Sequence, residues 1–194
     1  MSFAKLRKQR GSFQDLSKKL DQEKTGGFSK DERYWQLTVD DAGNGYAVIR
    51  FLPEPAGEEY PFVKLFEYGF KHKVTGQWYI EKSLDTLNQP DPVSEKWAEL
   101  WNSGDKEGAR QYSRSTRYIS NILVISDSKN PQNEGKVMLY KYGPRIFQKI
   151  EGALKPEFED EVAFNPFDFW EGANFKLKAR KLDGQRAYDK SELE

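Results

Sequence analysis

Apolar residues in this chain recur mostly at every second position, in short runs separated by turn signals, a period that predicts strands. Trp35, Leu37 and Val39 alternate with polar neighbours, and Tyr46 to Leu52 (YAVIRFL) resumes the alternation until Pro53. Between them, Asp40 to Gly45 supplies Asn and Gly residues that tolerate positive φ, so the two runs predict a hairpin. Further strands are predicted at Phe62 to Phe70, Gln77 to Glu81 after a turn at Gly76, Tyr118 to Ile125 and Lys136 to Tyr142. A final strand is predicted at Phe175 to Leu182. Helical spacing is confined to Leu6, Phe13, Leu16 and Leu20, ended by Gly26-Gly27, and to Glu95 to Asn102 and Arg145 to Leu154. Ser83 to Ser94, with Pro90 and Pro92, reads as turn, and Gly104 and Gly108 break the chain after Asn102. The order predicts a mainly β protein: a small barrel with inserted short helices.

Composition narrows the function. The 194 residues suit one sizeable domain with appendages, 37% hydrophobic and 32% charged. With no cysteine, disulfides, thiolate zinc sites and cysteine nucleophiles are excluded. No apolar run approaches the roughly 18 residues of a membrane span. Met1 to Phe13 carries Lys5, Arg7, Lys8 and Arg10 with no apolar stretch behind them, so it is no secretory signal. Catalytic chemistry finds little support. The single histidine, His72, sits between Lys71 and Lys73 and reads as ordinary surface. Gly43-Asn44-Gly45 lacks the lysine and spacing of a phosphate loop. Asp40 to Gly45 has Ala42 where a calcium ligand would stand. The acidic run Glu157, Glu159, Asp160 and Glu161 reads as a solvated face. The expectation is a non-enzyme.

Charge segregation says more than net charge, which is +0. Between Lys106 and Lys149, nine positive residues face three negative ones, and between Asn174 and Arg186 five face one. Tyr112, Tyr118, Tyr140, Tyr142 and Tyr188 interleave with these cations. Single-strand binding uses this mixture, cations following the phosphates and rings stacking on exposed bases, whereas a duplex hides its base faces. Each tyrosine can equally be a half-buried strand residue.

DDAGNGYAVIRFLP (Asp40 to Pro53), GQWYIE (Gly76 to Glu81), SNILVI (Ser120 to Ile125), NEGKV (Asn133 to Val137) and WEGANFKLK (Trp170 to Lys178) add a resemblance, with Phe28-Ser29 before them. In this order, over most of the chain, they resemble the T-even-type bacteriophage single-stranded DNA-binding proteins, helix-destabilising proteins of phage DNA replication, recombination and repair. The resemblance implies an OB-type barrel with a zinc-containing subdomain, DNA in the cleft between them and a basic arm for cooperative self-association. It also implies an acidic tail that recruits phage replication and recombination proteins, and a location in the cytoplasm of the infected host. Tyr140 and Lys141 match a DNA-contacting Tyr-Arg pair, Tyr188 a DNA-side tyrosine and Trp101 an aromatic position. Arg114 matches a basic cluster, with Arg110, Tyr112 and Arg117 beside it, and Tyr118 has a counterpart where Ile119 replaces a tryptophan.

The departures are as informative. The family's one His and three Cys zinc ligands correspond to Tyr68, Ser83, Asp91 and Ser94, no set for tetrahedral zinc, so no cofactor is expected. The insert is expected to hold by packing of Trp97, Leu100 and Trp101. The sequence to Glu194 lacks the family's further helical segment and acidic tail. The resulting division is a self-association arm at 1–25 (Lys5, Arg7, Lys8, Arg10) and a DNA-binding core at 26–194 with an insert at 83–112. The DNA-binding set is Trp101, Arg110, Tyr112, Arg114, Arg117, Tyr118, Tyr140, Lys141 and Tyr188. Three rivals are a single-stranded RNA binder, a protein-interaction module with a basic face, and a nuclease on a barrel scaffold.

Overall fold

The longest strand organises the sheet. In the computed structural model, which describes residues 31–194, β5 (Ser115–Ser126) alternates buried Tyr118, Ser120, Ile122 and Val124 with more exposed residues. Two strands pair in succession along β5: β3 (Phe62–Lys71) opposite its first half and β2 (Gly45–Phe51) opposite its second, both antiparallel. β6 (Val137–Tyr142) pairs antiparallel across Tyr118 to Leu123. β1 (Tyr34–Trp35) lies parallel to β6, and β7 (Asn174–Leu182) antiparallel to β2. β7 also pairs with two short strands, β8 (Gln185–Ala187) and β9 (Glu192–Leu193).

The inward face of each strand follows the two-residue period. Ala47, Ile49 and Phe51 from β2, Phe175, Leu177 and Ala179 from β7, and Tyr140 and Tyr142 from β6 meet in one core. The helix at Pro144–Leu154 covers it with Ile146 and Ile150. Phe51 is fully buried, with the rings of Tyr142, Phe167 and Phe175 edge-on at 5.5 to 5.6 Å. Trp35 donates its indole N–H to the buried carboxylate of Asp127 at 2.9 Å, which satisfies both polar groups.

Beyond β3, the chain forms an outlying hairpin and a helical insert. β4 (Trp78–Lys82) pairs only with β3 and exposes every residue. A 3-10 turn at Leu84–Leu87 comes next, then α1 (Pro92–Asn102) and α2 (Lys106–Gln111); the core helix at 144–154 is α3. Among the described residues no helix is long and apolar enough to cross a membrane.

Several expectations need correction. The mainly β expectation holds, but among the described residues the sheet is mixed and its path ends at β1 and β8, which share no ladder, so hydrogen bonding does not close it into a barrel. The Asp40 to Gly45 turn forms, with Gly43 at φ +84° and the Gly43 amide on the Asp40 carbonyl. Its flanks are not a paired hairpin, because β1 adds to β6 and β2 is occupied by β5 and β7. Gly108 does not stop a helix: Asp105 caps α2 through the Gly108 amide at 2.9 Å. Pro92 starts α1 instead of ending a turn, since its missing N–H falls where none is needed and Asp91 caps the end. Phe175 to Leu182 is not the last strand. Asp183 and Gly184, both at positive φ, turn the chain into β8, an Asp-Gly signal visible in the sequence. The arm at 1–25, with Lys5, Arg7, Lys8 and Arg10, lies outside the described residues.

Candidate nucleic-acid interface

Strand parity sorts the candidate residues. Tyr140 and Lys141 are consecutive in β6, so they point to opposite faces. Tyr140 is 5% exposed, edge-on to Trp35 at 5.3 Å, and its phenol is pushed well above the usual range, first by burial. Tyr118 also points inward and lies flat on Phe147 at 3.9 Å, and Tyr142 bonds Ser120 inside the core. Tyr118 and Tyr140 therefore correct the expected site: neither offers a ring face to a base, because the inward parity of β5 and β6 commits both to the core. Tyr188 is half-buried against the same core.

Lys141 and Arg117 emerge on the other face. Lys141 sits opposite Ile119 in the β5–β6 ladder, and Arg117 opposite Leu65 in the β3–β5 ladder. Both reach Glu67 of β3, Arg117 through Nε at 3.7 Å and Lys141 through its ammonium. With both cationic side chains about 40% exposed, such pairs contribute only about 0–1 kcal/mol, and a phosphate can replace the carboxylate.

A second group sits on the insert side. Arg114, just before β5, lays its guanidinium over the Phe66 ring at 4.0 Å and pairs with Asp85. Tyr112 meets Phe70 edge-on at 5.2 Å. Phe66 and Phe70 are four residues apart in β3 and share a face, so Arg114 and Tyr112 line the same side of that strand. On α1, Trp97 and Trp101 stack at 5.3 Å, and the Lys106 ammonium stands 5.2 Å from the Trp101 ring. Trp101 remains 41% exposed. The packing expected from Trp97, Leu100 and Trp101 is partial: Trp97 and Leu100 are half-buried and Trp97 stacks on Trp101, but α1 buries no residue fully. Arg110 is exposed and pairs with Glu107 one turn away.

Sequence reasoning placed both strands of the β3–β4 hairpin but left its residues out of the interface. Trp78 is 61% exposed with the Lys71 ammonium 5.1 Å from its ring, and Tyr79 packs on Phe70 at 4.9 Å. A basic turn (Lys71, His72, Lys73) running into Trp78-Tyr79 was the available signal. By contrast, the basic stretch of β7 is met by nearby acids. Lys176, Lys178 and Arg180 pair with Glu194, Glu192 and Asp189 at 2.5, 2.6 and 2.5 Å. Hydrogen bonds from these cations hold the Glu192 and Asp189 carboxyls below their usual range.

Comparison with known proteins decides the family. Residues 43–193 match the family described as "gp32 DNA binding protein like". The chain is 41% identical over 176 residues to the single-stranded DNA-binding protein of Enterobacteria phage T2, covering 87% of this chain and 57% of that protein. The phage T4 counterpart is 41% identical over 175 residues, and that of Escherichia phage SV14 is 44% identical over 87. The chain belongs to the gp32-like family. It spans somewhat more than half the length of its T2 and T4 relatives.

Within this gp32-like chain, the four residues that the resemblance matched to zinc ligands converge. Tyr68, Ser83, Asp91 and Ser94 form a hydrogen-bonded cluster. Asp91 accepts Ser83 Oγ–H and the Leu84 amide on Oδ2, each at 2.7 Å, and the Val93 and Ser94 amides on Oδ1. One carboxylate with its acceptor sites occupied and three hydroxyls do not fit tetrahedral zinc, which takes thiolate and imidazole.

Proposed function

We propose that this gp32-like chain binds single-stranded DNA without sequence preference and without catalysis, along the exposed cations and rings on and beside β3. One observation carries the reading. Exposed tryptophans stand beside lysines (Trp101 with Lys106, Trp78 with Lys71), Arg117 and Lys141 share the Glu67 carboxylate that a phosphate can displace, and Arg114 lies over the Phe66 ring. The interface wraps both faces of β3, with Arg117, Lys141 and Trp78 on the Glu67 face, Arg114, Tyr112 and Tyr79 on the Phe66 and Phe70 face, and Trp101 and Arg110 on the insert. Tyr188 rests on the family resemblance alone. In this reading the mixed sheet is an open version of an OB-type scaffold. The names of the T2 and T4 relatives support the ligand class. A role in phage replication, recombination and repair within the host cytoplasm, and cooperative self-association through the arm at 1–25, rest on the family resemblance.

Tryptophan fluorescence during titration with oligo-dT, a matched RNA and a duplex, at several salt concentrations, tests this. With about four to six phosphates neutralised, the log–log salt slope is expected at roughly −3 to −4. A slope near zero, or equal affinity for duplex, overturns the proposal, and tighter binding to RNA replaces DNA with RNA as the ligand.

A further inference from the structure

The cluster of Tyr68, Ser83, Asp91 and Ser94 does more than fill a space. A hydroxyl has one proton to donate, and counting protons gives the cluster a direction. Ser83 has contacts to Asp91 Oδ2 at 2.7 Å and to the Tyr68 oxygen at 3.3 Å; its one proton goes to the shorter, charged acceptor, and the longer contact is left without a proton. Ser94 Oγ donates to Asp85 Oδ2, so the 2.7 Å contact between Tyr68 and Ser94 must be donated by the Tyr68 O–H. Asp85 then accepts from both Ser94 and the Arg114 guanidinium. Donors therefore converge on the Asp85 carboxylate from two sides, Tyr68 through Ser94 on one and Arg114 on the other.

The same turn is stitched to the ring beneath Arg114. The Phe66 amide donates to Thr86 Oγ1 at 2.9 Å, and the Ser83 amide donates to the Phe66 carbonyl at 2.9 Å. Both supports of Arg114, the Asp85 carboxylate and the Phe66 ring, thus belong to one hydrogen-bonded unit. Among the described residues no buried side-chain polar atom is left without a partner.

We propose that this metal-free chain, anchored by Asp91 and running from Tyr68 through Ser94 to Asp85, positions Arg114 for single-strand binding. Ser94 and Asp85 are positioning residues that act through Arg114. The inference rests on Arg114 belonging to the interface proposed above. It also means that Arg114, just beyond the insert, is held without zinc by side chains that include those the resemblance matched to metal ligands.

A double-mutant cycle on the full chain tests it, with Tyr68→Phe and Ser94→Ala each made alone and with Arg114→Ala. Tyr68→Phe removes one oxygen and keeps the ring, so a folding failure of Ser94→Ala does not end the test. Arg114→Ala is expected to weaken oligo-dT binding and to lower the magnitude of the salt slope by about 0.7. Ser94→Ala and Tyr68→Phe are expected to weaken binding by about three- to tenfold with Arg114 present and to have no further effect in its absence. The same loss in both backgrounds marks a merely structural cluster and overturns the positioning role while leaving the interface intact. If Arg114→Ala changes neither affinity nor slope while the parent chain still binds oligo-dT, Arg114 is outside the interface and the inference falls. Added chelator is expected to leave the melting temperature unchanged. Stoichiometric zinc, or a fall of several degrees on chelation, overturns the metal-free part.

Discussion

The β core and the insert at 83–112 are held together in different ways. The core packs fully buried aliphatic and aromatic side chains from several strands and α3, with Phe51 ringed by three other aromatics. The insert buries little apolar surface, with only Ala109 buried in its two helices. It relies instead on a carboxylate, hydroxyls and backbone amides that satisfy one another. Apolar burial tolerates small errors in geometry, because it scales with area and has no preferred direction. A polar cluster has no such latitude, since a donor left unpaired in a buried site costs about 1–3 kcal/mol. Single changes should therefore destabilise the core globally and the insert locally.

The largest expected effect is in the core. Tyr140→Ala should destabilise the whole fold by about 3 kcal/mol or more, as large aromatic truncations do. Chemical denaturation measures it, and oligo-dT affinity of the folded fraction should be unchanged. A large affinity loss with normal stability would return Tyr140 to the interface. Next is Asp91→Ala, which removes the α1 cap and leaves Ser83 and the Leu84 amide without their acceptor. It should cost about 2 kcal/mol or more, confined to the insert. Limited proteolysis should then cut within 83–112 sooner while β2 and β5 stay protected, and global unfolding instead would dissolve the contrast between the two regions. Trp101→Ala should weaken oligo-dT binding by about 1–2 kcal/mol through the lost stacking face, with little change in melting. A melting drop without an affinity loss would place Trp101 among the packing residues.

The smallest effect concerns acid. Burial alone would raise the Asp91 carboxyl, but the Ser83 hydroxyl and the Ser94, Leu84 and Val93 amides hold it below the ordinary 3.8. A folded value below the unfolded one means the contribution is complete above the unfolded value and lost as pH falls through the folded one. Protection of the insert amides from exchange, taken relative to their intrinsic rates, should therefore fall as pH drops below about 4, and Asp91→Asn should flatten that response. An unchanged profile in the variant would assign the acid sensitivity to another group.

Most strands were legible in the sequence because an alternating segment between turn residues carries its own period. β8 was equally legible in the Asp183-Gly184 turn signal, which the expectation of a final strand at Phe175 to Leu182 left unused. The pairing of β1 was not legible, because its partner β6 lies about a hundred residues away and nothing local in Tyr34-Trp35 specifies a parallel neighbour. The interface divided in the same way. Lys141, Arg117, Arg114 and Trp101 are exposed as a charged or amphipathic residue tends to be, whereas Tyr118 and Tyr140 read equally well as stacking rings or as core.

By itself the sequence determined that Tyr140 and Lys141 point to opposite faces, that the chain is mainly β, and that cysteine-ligated zinc has no place in it. Which face became the inside was decided only by tertiary structure. Trp35 and Phe147 arrive from distant segments to cover Tyr140 and Tyr118, and Glu67 waits on the opposite face for Lys141 and Arg117. A two-residue period says which side chains share a face. It carries no information about what will pack on that face, because the packing partners come from elsewhere in the chain.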